Sequence, residues 1–307
     1  MELSTLLQYK PYSTARTEKR ALYAGLLTEL TQFHREHCPE YGRLLDALGC
    51  PAHMDCTVES TPMLPVSLFK ELELRSIPEG EVFKTLTSSG TTGQRVSRIF
   101  LDGATSACQQ QALCQIMSDF LGERRLPFLV LDSRQVLRNR AMFSARGAGI
   151  LGFSIFGTRP CYALDEHMEL DLDGVRAFLE EHQGETIFLF GFTFIIWKHV
   201  VRALEERGER LDIPNGILVH GGGWKKLAGE AVSPGEFKAR VAAATGVERV
   251  SNYYGMAEQT GCIYMECPQG HLHASLWSDI VVVSGGWGNR QRLAVRLVCA
   301  FCCGAGV

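Results

Sequence analysis

Apolar side chains recur at helical spacing from residue 15 to 36, with Leu22, Leu26, Leu30 and Phe33 on one stripe and charges between them. That pattern predicts an amphipathic helix, ended by Cys38-Pro39. A connection containing Pro51, Pro62 and Pro65 follows. Residues 81–86 and 94–100 then read as two strands around a polar tip, and Asp102 is placed to cap a second helix carrying Leu113, Ile116, Met117 and Phe120. From there apolar strands alternate with helices. Strands are predicted at 128–131, 186–190, 217–220 and 250–254. Helices are predicted at 194–207, with Trp197, Val200, Val201 and Leu204, and at 234–245, with Pro234 just inside a Ser233 cap and Gly246 as the stop. The alternation predicts an α/β fold, helices packed on mainly parallel sheets, in which ligands bind off the C-terminal strand ends. The glycine run 221–223 and the pair Tyr254-Gly255 both fall at such ends. There is no internal repeat and no low-complexity linker.

Bulk composition narrows the class. The 307 residues suffice for one large or two ordinary domains, and 46% apolar with 21% charged residues is the balance of a soluble globular protein. A net charge of −3 gives no reason to expect nucleic acid or an anionic membrane as partner. Eleven cysteines, an odd number without regular spacing, suggest reduced thiols and a cytoplasmic protein rather than a disulfide framework. The start Met-Glu-Leu-Ser-Thr-Leu-Leu lacks the basic-then-apolar signature of a signal peptide. The longest apolar run, 187–197, is broken by Gly191 and Thr193 and falls short of the ~20 residues of a membrane span.

Three stretches carry candidate chemistry. Leu86-Thr87-Ser88-Ser89-Gly90-Thr91-Thr92-Gly93 has five hydroxyls and two glycines among eight residues. Positive φ at Gly90 and Gly93 would turn backbone amides inward as an anion nest, with the hydroxyls as further donors to phosphate. An ordinary polar turn needs only one or two such residues. A Gly-Lys-Ser/Thr at Walker A spacing is absent. The second stretch, His220-Gly221-Gly222-Gly223-Trp224-Lys225-Lys226, offers backbone that can lie flat against a planar base, or a plain strand-to-helix turn. The third, Asn252-Tyr253-Tyr254-Gly255-Met256-Ala257-Glu258, puts a stacking ring four residues before a carboxylate able to hold Mg²⁺. Alone, Glu258 reads as a solvated surface acid; the order of the three stretches favours the ligand reading for all of them.

Ser88-Ser89-Gly90-Thr91-Thr92-Gly93 followed by Tyr254-Gly255-Met256-Ala257-Glu258 resembles the adenylate-forming superfamily of acyl-CoA synthetases and adenylation domains. With Pro65-Val66-Ser67-Leu68-Phe69-Lys70, the run 83–94 and the glycine stretch at 220–226, residues 60–283 are similar to the LuxE acyl-protein synthetase family. The resemblance implies an enzyme, an AMP-forming ligase that uses ATP and Mg²⁺ to activate a carboxylic acid as an acyl-adenylate, then passes the acyl group to a protein or cofactor thiol. It implies a long-chain fatty acid as substrate and a fatty acid reductase subunit as partner. By the same resemblance Ser88, Ser89, Gly90, Thr91, Thr92 and Gly93 would hold the β- and γ-phosphates. Gly221, Gly222 and Gly223 would border the adenine, and Tyr254 and Gly255 would complete that side, Tyr254 by stacking. Glu258 would ligate Mg²⁺, and Thr92 and Glu258 together would carry the catalytic end. Residues 190–194 fall where such enzymes line the acyl pocket, and read equally well as buried core. An aryl-CoA ligase of the phenylacetate type and a nucleotide-binding remnant without full activity are the alternatives.

The chain also departs from the superfamily pattern. The usual Pro-Lys after the loop is replaced by Arg95 and Arg98, which supply charge as a planar fork or simply sit on a solvated strand face. Cys262, Cys267, His271 and His273 have a spacing compatible with zinc, although core thiols and an alternating strand account for them more simply. Cys262 is also a conceivable acyl acceptor, which would require a low-pKa thiolate. Residues 284–307 contain three Arg, three Cys and no acid, unlike the balanced charge upstream. They lack resemblance to the family's continuation, its ribose-binding Asp, hinge and small C-terminal domain. The expectation is an adenylate-forming N-terminal domain over 1–283 and an atypical tail over 284–307 from truncation or frame-shift.

Overall fold

The computed structural model describes residues 3–87, 95–138, 145–286 and 291–299. They divide into two compact units. The first comprises Met1–Met117, Gly255–Tyr264 and Ala274–Val307, the second Ser118–Tyr254 and Met265–His273. In the first, helix α1 (Arg16–His37) ends where Cys38-Pro39 predicted, but Pro39 also opens helix α2 (Pro39–Ala47), which periodicity did not indicate. A proline costs nothing at the first helical position, because its missing N–H would be unpaired there anyway. The buried stripe of α1 is Lys19, Tyr23, Leu26, Leu27, Thr31 and His34, rotated from the predicted one. Phe33 faces solvent and stacks on His37 at 4.3 Å. Lys19 sits inside because its ammonium donates to the carbonyls of Ser275 (2.8 Å) and Ser278 (2.6 Å). Tyr41, Leu45, Phe69, Ile99 and Leu101 form the core beside these helices.

The two strands around the hydroxyl-rich loop are β1 (Lys84–Thr87) and β2 (Arg98–Leu101), antiparallel, with Thr87 opposite Arg98. They are shorter than the apolar runs suggested. Helix α3 (Gly103–Leu121) follows, and Asp102 caps it by accepting from the Thr105 amide at 2.6 Å. Near the end of the chain, β10 (Ser278–Gly286) and β11 (Gln291–Cys299) pair antiparallel.

The second unit is built on a seven-stranded sheet in the order β4-β3-β5-β6-β7-β8-β9. Its strands are β3 (Leu126–Ser133), β4 (Gly157–Leu164), β5 (Ile187–Phe192), β6 (Gly216–Gly221), β7 (Arg249–Tyr254), β8 (Tyr264–Glu266) and β9 (Leu272–His273). Pairing is parallel from β4 to β7 and antiparallel between β8 and β9. All six residues of β5 and of β6 are buried, which is why these strands read as unbroken apolar runs. The missed strand β4 lies at the sheet edge and includes exposed Arg159 and Pro160. A Cβ on its Gly157 would lie 2.5 Å from the Phe128 side chain. Helix α4 (Ala145–Phe153) precedes β4, and α5 (Leu172–Glu181), capped by Asp171 accepting from the Gly174 amide at 3.0 Å, follows it. Helix α6 occupies 193–207 but is π-helical over Ile196–Val201. Such one-turn π segments concentrate at functional sites. Helix α7 (Pro234–Thr245) has the Ser233 cap and a left-handed Gly246 (φ 75°) as predicted.

Candidate active site

Strands β5, β6 and β7 end side by side, and the C-terminal end of β6 opens the glycine run. Gly221 is the register partner of Tyr253. A Cβ there would stand 2.5 Å from the Tyr253 ring, itself held by Phe153 (5.0 Å) and Phe190 (6.1 Å). Packing of that ring is thus enough to require glycine at 221. Burial pushes the Tyr253 phenol well above its ordinary range. Gly222 has φ +77°, and a Cβ on it would meet the Phe192 ring at 3.0 Å. At Gly223 a Cβ would meet nothing within 4 Å. Ring packing explains the first glycine and backbone geometry the second, while the third leaves an open face.

Thr193, the first residue of α6, ties the turn down. Its hydroxyl lies 2.9 Å from the Gly222 carbonyl, 3.1 Å from the Gly221 carbonyl and 2.9 Å from His220 Nδ1. A hydroxyl has one proton; when it donates to a carbonyl, Nδ1–H of His220 donates to it. Burial, reinforced by the Lys238 ammonium, pushes His220 down to about 3, so the ring is neutral. His220 and Asn252 are register partners on parallel strands, so their side chains share one face. Among the described residues, His220 Nε2 and Asn252 Oδ1 are buried and find no hydrogen-bond partner. Both residues line a chamber of about 240 Å³, together with Thr193, Gly222, Trp224 and Phe237. Unpaired buried polar atoms are uncommon and mark places where a ligand or water belongs. Tyr254 terminates β7 and is 47% exposed.

In the first unit, Glu258 lies in a single 3₁₀ turn (Ala257–Gln259) and is buried, unlike the solvated acid that its motif taken alone would suggest. Its neighbour Gln259 accepts from the Tyr264 hydroxyl at 3.1 Å, and Met256 packs on the Tyr41–Leu101 core. Among the described residues no group of three or more His, Cys, Asp or Glu could hold a metal. One buried carboxylate is enough to fit Mg²⁺, which is commonly held by one or two carboxylates with phosphates and waters supplying the rest. Ser88, Ser89, Gly90, Thr91, Thr92 and Gly93 lie outside the described residues. Arg95 pairs with Glu71 at 3.0 Å and Arg98 with Glu73 at 3.5 Å, both as solvated surface pairs.

The other candidates resolve into packing. Cys262 is buried with its thiol directed at the Trp277 carbonyl (3.6 Å). Cys267 receives a hairpin bond, its amide donating to the His271 carbonyl at 2.9 Å, and His271 and His273 are exposed. Phe190 and Phe192 are buried in an aromatic cluster, Phe190 stacking on Phe153 at 4.3 Å. Thr193, His220 and Asn252 were within view of the motifs but carried no signal of their own. Lys238 and Glu266 lie outside every motif.

The fold is the α/β fold of adenylate-forming ligases. The chain aligns with the structure of 2-hydroxyisobutyryl-CoA ligase in its postadenylation state in complex with R3-HIB-AMP, with a TM-score of 0.62 and 15% identity, over 97% of this chain. It spans 62% of that ligase's length. The amide bond synthetase McbA from Marinactinospora thermotolerans also matches, at 15% identity and a TM-score of 0.45 over 85% of this chain and 49% of that one. No curated protein matches in sequence. Residues 2–286 match the family described as acyl-protein synthetase, LuxE, and the chain belongs to that family. No helix among the described residues is long and apolar enough to cross a membrane.

Proposed function

We propose that this chain activates a carboxylic acid, a long-chain fatty acid, at the expense of ATP. A carboxylate oxygen attacks the α-phosphorus, the bond to the bridging oxygen breaks, and pyrophosphate leaves. A thiolate, its proton released to water, then attacks the acyl carbon of the adenylate and AMP departs. We assign that thiol to a protein acceptor, a reductase partner being the kind the family resemblance implies. The observation that carries the reading is the Thr193-clamped glycine turn beside a chamber lined by His220 and Asn252, each with a buried polar atom unpaired among the described residues. In it, the open face of Gly223 would rest on adenine, Tyr254 would stack, and Asn252 Oδ1 would accept from the exocyclic amine. The 88–93 hydroxyls and amides would hold the β- and γ-phosphates, Thr92 among them, where negative charge develops. Glu258 would hold Mg²⁺, and that ion would offset phosphate charge.

Acid-dependent exchange of pyrophosphate into ATP, run over fatty and aromatic acids, tests this. Exchange with fatty acids is expected. Exchange with aromatic acids alone would move the chain to the aryl-CoA ligases, and ATP binding without any exchange would refute an activating role.

A further inference from the structure

Glu266 is a buried carboxylate without a place in the reading above, its side chain 6% exposed. Its two oxygens have different tasks. Oε1 pairs with Lys238 Nζ of α7 at 2.9 Å. Oε2 accepts from the backbone amide of Asn252 at 2.8 Å. The amide in the middle of β7 thus finds its partner in a charged side chain 14 residues further on. A charge-assisted bond is shorter and roughly twice as strong as one to a neutral carbonyl. An apolar pair of similar volume often serves stability as well as a buried ion pair. What it cannot supply is a fixed acceptor aimed at one amide. Both Lys238 and Glu266 also line the chamber that Asn252 lines.

We propose that Glu266, itself held by Lys238, is a positioning residue for nucleotide binding. By anchoring the Asn252 amide it sets the orientation of the Asn252 side chain and the exit of β7 toward Tyr254. Its effect falls on binding the base, and the transfer step is left unchanged. The proposal rests on the nucleotide reading of the chamber.

The test is calorimetric binding of ATP to the full chain, together with exchange rates and amide hydrogen exchange at residue 252. In Glu266→Ala the Asn252 amide exchanges faster and the Kd for ATP rises by about 10-fold, the worth of one charge-assisted bond. The exchange rate at saturating ATP stays within about two-fold of wild type, since a lost orienting contact weakens binding alone. Glu266→Gln keeps an oxygen for the Asn252 amide and recovers most of the affinity, which a generic loss of packing would not allow. If Glu266→Ala fails to fold, the neutral pair Glu266→Gln with Lys238→Met serves instead, and near wild-type affinity is expected. A folded Glu266→Ala with wild-type ATP affinity overturns the positioning role alone. So do equal losses in the Ala and Gln variants, or a weakened neutral pair. A wild-type chain that binds no ATP overturns both the nucleotide reading and the positioning role.

Discussion

Alanine at positions 222 and 223 separates a glycine needed for folding from one needed for a ligand. Gly222 sits at φ +77°, where an L side chain costs about 1–2 kcal/mol, and the new Cβ would also press on the Phe192 ring at 3.0 Å. Gly222→Ala should lower the thermal midpoint by about 2–6 °C. At Gly223 the Cβ meets nothing, so Gly223→Ala should change stability by no more than about 0.5 kcal/mol. A base resting on that backbone would, however, be pushed off by roughly the length of one carbon–carbon bond, about 1.5 Å. A gap of about 0.5–1 Å already forfeits a quarter to a half of a dispersion contact, so most of that face is lost. Base stacking is worth about 1–3 kcal/mol, and losing one side of it should raise the Kd for ATP by about 5- to 10-fold. Thermal unfolding and calorimetric ATP titration of both variants check this. A folded Gly223→Ala with unchanged ATP affinity would refute the placement of adenine on the glycine turn.

Three further outcomes are expected. Glu258→Gln and Thr92→Val should each abolish acid-dependent exchange, with folding monitored by circular dichroism; retained rates would remove both from the phosphate and metal end. Gly221→Ala should destabilise by about 1–3 kcal/mol in urea, because its methyl would overlap a Tyr253 ring already locked by Phe153 and Phe190. His220 titrates near 3 when folded and near 6.5 when unfolded, so the unfolded chain binds the extra proton between those values. Its contribution is complete above about pH 6.5 and is lost as pH falls toward 3, by up to about 1.4 kcal/mol per pH unit. His220→Leu should flatten that part of the stability profile, measured by urea unfolding at pH 7 and pH 5.

The sequence by itself determined what depends on near neighbours. Apolar runs marked β3, β5, β6 and β7, because strands covered on both faces need no polar positions. Ser233-Pro234 and Gly246 bounded α7 through local capping geometry, as Asp102 did for α3. The hydroxyl-rich loop and the 254–258 segment were legible as motifs because their residues are contiguous. The tertiary structure decided what depends on groups far apart in the chain. Lys19 is buried by carbonyls more than 250 residues away, which turns α1 so that Phe33 faces water. Strand β4 exists because it can add to the edge of β3, not because its own pattern demands a strand. Glycine at 221 answers to a ring on the neighbouring strand, and the turn is clamped by Thr193 from 28 residues upstream. His220 and Asn252 became candidates only when strand register put them on one face, and Glu266 only when its carboxylate met the Asn252 amide. Periodicity encodes which residues are inside; it carries no record of which polar groups will find each other there, and that pairing sets the chemistry of the site.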